Sequence, residues 1–405
     1  MQHRKWLFSL AAAVTLLFLA VVVPCFWSPS TAQAGLPHSS GRYAVLAPIT
    51  HGNLTIFPVV SGESHETKEF LTLDEGLRSG EVVVTESGQV GTMIRRRGQI
   101  RPVRGDEVNR LFLVNNSQRP LLLLAGEVVT GGKQDRVVGK DRIIPAESDA
   151  DLDVFCVEPG RWTARSSKFG AVGAYGGGAY MAQPSVRAQA MDKKDQQGVW
   201  DQVARSRNAM SLELSRSAPA GPPPAAAAEI ASTSSYARVM ENREVAKQVD
   251  AVAAPIQHSY ESAIRELRAR NAVGVVVAVN GRIIWADMFA SPELLSKYWP
   301  KLVRSYAAEA VETAAGAGKI TTQEAQEFVD QLGGRHESVD SELQRLSLRR
   351  NHRRWLQSVR VGVAAAQNWL RCACEQNGGM KLETFCGRQR SGSPQAKSRA
   401  EPRDL

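Results

Sequence analysis

The chain has 405 residues, 43% hydrophobic and 22% charged, with a formal net charge of +9. After a leader, roughly 370 residues remain, enough for one large core or two ordinary ones. Residues 341–405 hold 13 Lys and Arg against 5 Asp and Glu, so +8 of the +9 sits in the tail. The near-neutral body excludes the broad basic face that a nucleic-acid binder needs. Three of the five cysteines (Cys372, Cys374, Cys386) also lie in the tail, and the body after the leader has only Cys156. This is not a disulfide-stapled fold.

Arg4 and Lys5 precede an apolar stretch over residues 10–23, and Thr31-Ala-Gln-Ala34 offers small residues at the spacing a signal peptidase reads. That is the plan of a secretory signal over residues 1–34, with Gly35 as the mature N-terminus. Residues 6–27 also approach the roughly 20 apolar residues of an uncleaved membrane anchor. Pro24 and the Ala-Gln-Ala site favour cleavage. Either reading makes the working domain secreted or extracytoplasmic, tethered at its N-terminus in the second case.

Residues 43–60 read as strand, turn, strand about His51-Gly52-Asn53. Residues 72–80 read as a short helix, with Thr72 and Glu75 placed as a capping box and Gly80 as its stop. Strands follow at 81–85, 108–114, 120–125, 142–144 and 152–157. The stretches 166–190 and 211–235 read as flexible loops on either side of a helix at 196–207. A helix resumes at 256–268. Residues 272–289 read as a hairpin about Asn280-Gly281. Ser291 and Pro292 start a long helix to about residue 315, and another begins near Thr321. Hairpins first and helices later predict an α+β fold: one domain over 41–310, with a helical extension over 311–346. In the tail, 347–405, patterning and composition stop agreeing. It reads as a basic tail that touches anionic surfaces or, on the balance of patterning, as the product of a reading-frame change.

The run Leu121-Leu-Leu-Leu-Ala-Gly-Glu-Val-Val-Thr-Gly-Gly-Lys-Gln-Asp-Arg136 carries the densest chemistry. An apolar strand ends in Gly126-Glu127, and a glycine turn, Gly131-Gly132, presents Lys133, Gln134 and Arg136. A second apolar strand ends in Glu158-Pro-Gly-Arg161-Trp162. Consecutive glycines let backbone N–H groups converge, and Lys133 and Arg136 add positive charge, a recipe for holding phosphate or carboxylate. The plainer reading is a hairpin with a polar tip. The turn is not a P-loop, because Gln134 stands where Ser or Thr would hold magnesium. Glu127 and Glu158 would serve general acid–base work or a metal if their strands are neighbours; a local salt bridge of Glu127 with Lys133 or Arg136 is the rival. Cys156, with no histidine nearby in sequence, reads as a core residue. No zinc spacing and no G-x-S-x-G elbow is present. Cofactor, metal and oligomeric state are left unassigned.

His51-Gly-Asn-Leu-Thr-Ile-Phe-Pro58, Leu71-Thr-Leu-Asp-Glu75, Leu124-Ala-Gly-Glu127, Gly131-Gly-Lys-Gln-Asp-Arg-Val137, Cys156-Val-Glu-Pro-Gly-Arg-Trp162 and Gln197-Gly-Val-Trp200 resemble the ADP-ribosylglycohydrolase- and rhodanese-phosphatase-associated protein domain family. Residues 286–302 are similar to its later segment. Asp135 departs from the Asn that this family often carries there. The resemblance implies a shared fold and a link to ADP-ribose or phosphate chemistry, with no catalytic residues to carry over. The leading expectation is therefore a domain that binds a small anionic, nucleotide-like ligand at Gly131, Gly132, Lys133, Gln134, Arg136, Arg161 and Trp162. The alternatives are a hydrolase of a phosphate- or ribose-linked bond using Glu127 and Glu158, and a protein-interaction module without a small-molecule site.

Overall fold

The computed structural model describes residues 43–88, 107–161, 163, 166, 168–170, 180–217, 224–316 and 318–330. Residues 1–42, where the secretory signal is expected, Trp162, and everything from residue 331 onward, including the basic tail, lie outside the described residues. No helix among the described residues is long and apolar enough to cross a membrane.

β1 (Tyr43–Val45), β2 (Ile49–His51) and β3 (Leu54–Ser61) come first. Gly52, at φ +59°, makes the tight turn between β2 and β3. β4 (Leu71–Thr72) runs into helix α1 (Leu73–Ser79), where the predicted capping box is present. The Glu75 N–H donates to the Thr72 hydroxyl, the Thr72 N–H to the Glu75 carboxylate, and Gly80 ends the helix at φ +73°. Then follow β5 (Val82–Glu86), β6 (Arg110–Asn115), β7 (Leu121–Leu123), β8 (Glu127–Gly131), β9 (Arg136–Val138), β10 (Arg142–Ile144), β11 (Ser148–Cys156), β12 (Phe169–Gly170) and β13 (Tyr180–Met181).

Six of these close on themselves in the order β12-β5-β6-β11-β9-β8, because β12 pairs with both β5 and β8. The result is a small barrel with alternating faces. Along β11, Ala150, Leu152 and Val154 are buried while Asp151 and Asp153 are exposed. Val82, Val84, Leu111, Leu113, Val129, Val138 and Phe169 join them in one apolar cluster, as a small closed barrel requires. A three-stranded sheet, β10-β7-β4, adds Leu71, Leu121, Leu123 and Ile144 to that cluster.

The second half is helical: α2 (Pro184–Ala188), a π-helical turn (Gln189–Lys193), α3 (Gln196–Arg216), α4 (Ala225–Ser232), α5 (Tyr236–Glu241), α6 (Arg243–Ser262) and α7 (Ile264–Ala269). Part of the stretch expected to be flexible at 211–235 is helix instead. Four consecutive alanines after Pro224 form α4, since alanine is the best helix former and Pro suits a helix start. Likewise, residues 166–190 supply β12, β13 and α2. The helix expected from residue 256 begins at Arg243, where the Asn242 side chain caps it.

The hairpin β14 (Ala272–Val279) and β15 (Arg282–Met288) turns at Asn280 and Gly281, both with positive φ. These strands complete a second sheet, β1-β3-β14-β15, with β2 also on β3. The described residues end in α8 (Pro292–Glu312), capped by Ser291 as predicted, and α9 (Thr322–Asp330). One face of this sheet packs on α6 and α8 through Leu54, Ile56, Val275 and Val277. The other meets Ala325, Phe328 and Val329 of α9.

Candidate functional site

The two charge-rich strand ends do meet, and Arg161 clamps them. Its guanidinium donates to the Gly132 and Gly131 carbonyls at 3.0 and 3.3 Å. It also pairs with Glu158 at 2.6 Å and Asp135 at 3.5 Å. Asp135 is wholly buried and central. Its oxygens accept the Gly131 N–H (3.0 Å) and the Ser235 hydroxyl (3.1 Å), and its own N–H donates to Glu158 (3.2 Å).

The glycine turn is tightly packed by these partners. Gly131 and Gly132 have φ of +123° and +46°. A Cβ on Gly132 would lie 2.2 Å from the Phe169 ring, and one on Gly131 2.7 Å from Ser166 Oγ. The Gly131, Gly132 and Lys133 N–H groups donate to Asp135, Ser166 and Glu86. The chain's own oxygens thus occupy the N–H cradle that an anion would use.

The neighbouring side chains turn inward. Arg136 is fully buried; its Nε donates to Val108 O at 2.8 Å, and burial pushes its pKa down against the pull of Cys156, Glu86 and Asp135. The Gln134 amide nitrogen donates to Glu158 O at 3.2 Å. Lys133 is half-buried on the turn. Cys156 is a buried free thiol whose pKa burial raises, as fits a core residue.

Beside the turn opens a cleft of about 520 Å³, lined by Thr130, Gly131, Asp135, Ser166, Lys168, Gly170, Ala237, Arg238 and Glu241. Lys168 and Arg238 are exposed, and neither has an ion-pair partner among the described residues. On the cleft's floor, Asp135 is already matched by Arg161.

Glu127 and Glu158 are not brought together. Val128 pairs with Val137 and Cys156 with Arg136, so the two carboxylates stand about four residues, roughly 13 Å, apart along the strand direction. Glu127 serves a different cluster. It accepts the Leu124 N–H at 2.7 Å and pairs with Lys301 of α8, which also pairs with Asp74 at 2.9 Å. Burial works against the Lys301 charge, but Glu127 and Asp74 outweigh it and raise its pKa. Neither rival partner of Glu127, Lys133 or Arg136, is the one it takes.

Close by, Arg187 grips Asp287 through both terminal nitrogens, at 2.8 and 2.7 Å. The Trp285 indole (3.0 Å) and the Tyr306 hydroxyl (2.5 Å) also donate to Asp287, and the guanidinium lies 4.3 Å from the Trp285 ring centroid. Burial alone would raise the Asp287 pKa; these donors hold it low instead. Gly126, at φ +95°, is glycine because a Cβ there would sit 2.6 Å from Arg187. Sequence reasoning passed over Arg187, Asp287, Lys301, Lys168 and Arg238. Asp287 alone left a sign, as a carboxylate inside an apolar strand.

Fold and site together define an α+β protein whose closed barrel carries a polar, clamped rim beside a cleft. The chain belongs to the ARG and Rhodanese-Phosphatase-superfamily-associated Protein domain family, which matches residues 42–367. The match runs twenty residues past Ser347, into the basic tail. No curated protein and no solved structure matches the chain.

Proposed function

We propose that this protein binds a small anionic ligand in the cleft beside the Gly131–Gly132 turn. One observation carries the reading: Lys168 and Arg238, neither with an ion-pair partner among the described residues, line one concave site beside a single further acidic side chain, Glu241, that Arg161 does not already match. Charges left without a partner at a cleft wall attract an opposite charge at no cost in broken ion pairs. The hydroxyls of Thr130 and Ser166 line the same cleft and add hydrogen-bonding capacity. In this reading Gly131, Asp135 and Arg161 shape the wall, while Lys133, Gln134 and Arg136 support it from behind. The leader at residues 1–34 supports an extracytoplasmic workplace.

The test is a thermal-shift screen of the full chain against inorganic phosphate, ADP-ribose and nucleotides, beside Lys168→Ala and Arg238→Ala. A ligand at 100 times its Kd stabilises by about 2.7 kcal/mol, a shift of a few degrees. The parent should show that shift and both variants should lose most of it. Absence of a shift with every probe, or equal shifts in the variants, rejects the reading in favour of a protein-interaction module.

A further inference from the structure

A second polar cluster closes the C-terminal end of α8, away from the cleft lining. Glu309 and Glu312 stand three residues apart, hence on one face of the helix, and are half-buried. Glu309 accepts the Ser185 N–H at 3.0 Å. Glu312 accepts the Gln183 amide N–H at 2.6 Å through one oxygen and meets the Ser206 hydroxyl with the other. That hydroxyl is also 2.9 Å from the Gln183 side-chain oxygen. Ser206 therefore has two acceptors for a single proton. The other titratable groups facing this cluster are the phenols of Tyr236 and, beside it, Tyr180. No lysine, arginine or histidine among the described residues pairs with either carboxylate.

We propose that Glu312 stays protonated in the folded protein at neutral pH and works as a proton-operated latch between α8 and the Gln183 junction. With the proton in place the hydrogen bonds form a closed ring. The Glu312 acid O–H donates to Ser206 Oγ, Ser206 donates to Gln183 Oε1, and the Gln183 amide returns a hydrogen bond to Glu312. Without it, one contact in the ring lacks a hydrogen and two carboxylates face each other uncompensated. Burial, then the charge of Glu309, pushes the Glu312 carboxyl up to about 8, and burial raises Glu309 as well. The latch reaches α5, because the Gln183 backbone N–H donates to the Tyr236 hydroxyl at 3.1 Å. Ala237, Arg238 and Glu241 of the same short helix form one wall of the cleft. Loss of the proton should loosen that wall, whether or not a ligand binds there.

The raised pKa sets the sign. The stabilisation from this proton is complete below the ordinary carboxyl value of 4.5 and is lost as pH rises through about 8. Glu312→Gln keeps the ring, with its amide donating to Ser206 and its oxygen accepting from Gln183, but cannot titrate. The infrared difference spectrum, parent minus Glu312→Gln, should show a protonated carboxyl band at about pH 7 that disappears as pH rises past about 8; the Asp141 band cancels because both proteins carry it. Relative to this variant, the parent's melting temperature should fall by several degrees between about pH 6 and pH 9. Hydrogen exchange of α5, corrected for intrinsic rates, should speed up over the same range in the parent alone. Equal pH dependence in parent and variant, or no such band in the difference spectrum at about pH 7, overturns the proposal. If Glu312→Gln does not fold, Glu309→Gln decides the matter: removing the neighbouring charge should lower the transition pH, and an unmoved transition overturns the latch.

Discussion

Asp141 is a carboxyl with almost no water around it. It accepts the Ala125 N–H at 2.7 Å, and burial, aided by Asp287 and Glu127, pushes its pKa up to about 7 despite that hydrogen bond and the nearby Arg187. A raised carboxyl binds its proton more tightly when folded than unfolded. Its stabilising contribution is present below the usual value of 3.8 and is lost as pH rises through about 7. Asp141→Asn keeps an oxygen for Ala125 and removes the titration. Denaturant unfolding at several pH values should show the parent losing up to about 4 kcal/mol relative to this variant between about pH 4 and pH 8. Parallel curves would mean that Asp141 is paired well enough to stay ionised. At the same scale, the Gly131–Gly132 dipeptide was legible as a turn. Its role was not, because which ring or carboxylate fills the space above a glycine depends on residues far along the chain.

Among elements, two glutamines do the work of strands. The Gln196 side chain at the start of α3 accepts the Cys156 N–H and donates to the Cys156 carbonyl, both at 2.9 Å. Gln326 of α9 accepts the Val45 N–H at 2.7 Å and donates to the Tyr43 carbonyl at 3.2 Å, satisfying the edge of β1. Replacing Gln326 with Ala should leave a buried Val45 N–H unpaired and cost about 1–3 kcal/mol. The sharper readout is hydrogen exchange: β1 amides should exchange faster while β14 stays protected. Unchanged protection at Val45 would show that something else satisfies that edge. Caps and hairpin turns were readable in advance at Thr72, Asn280-Gly281 and Ser291, since each is encoded within four residues. The α4 helix was missed because proline and alanine beside it looked like linker composition.

At the largest scale, the described elements are tied together through buried charge. Arg187 comes from α2, Asp287 from β15, Asp74 from α1, Glu127 from β8, and Lys301 with Tyr306 from α8. Barrel, sheet and long helix therefore share one region of ion pairs, beside which the surrounding core is apolar. Removing one partner of such a pair strands the other. Arg187→Met should cost about 3–5 kcal/mol in equilibrium unfolding, while Arg187→Met combined with Asp287→Leu should recover much of the loss. Additive losses would show that each residue acts alone.

Sequence by itself determined the α+β class, the compositional break in the tail, the family, and the neighbourhood of the clamped turn, because these rest on local patterning and short motifs. It could not determine that the barrel closes through a two-residue strand, β12, or that Arg161 rather than Lys133 joins the two lips. Nor could it reveal that Glu127 belongs to Lys301, 174 residues away. Those outcomes depend on burial, which decides whether a charge is a surface contact or an internal tie, and burial is a property of the packed chain.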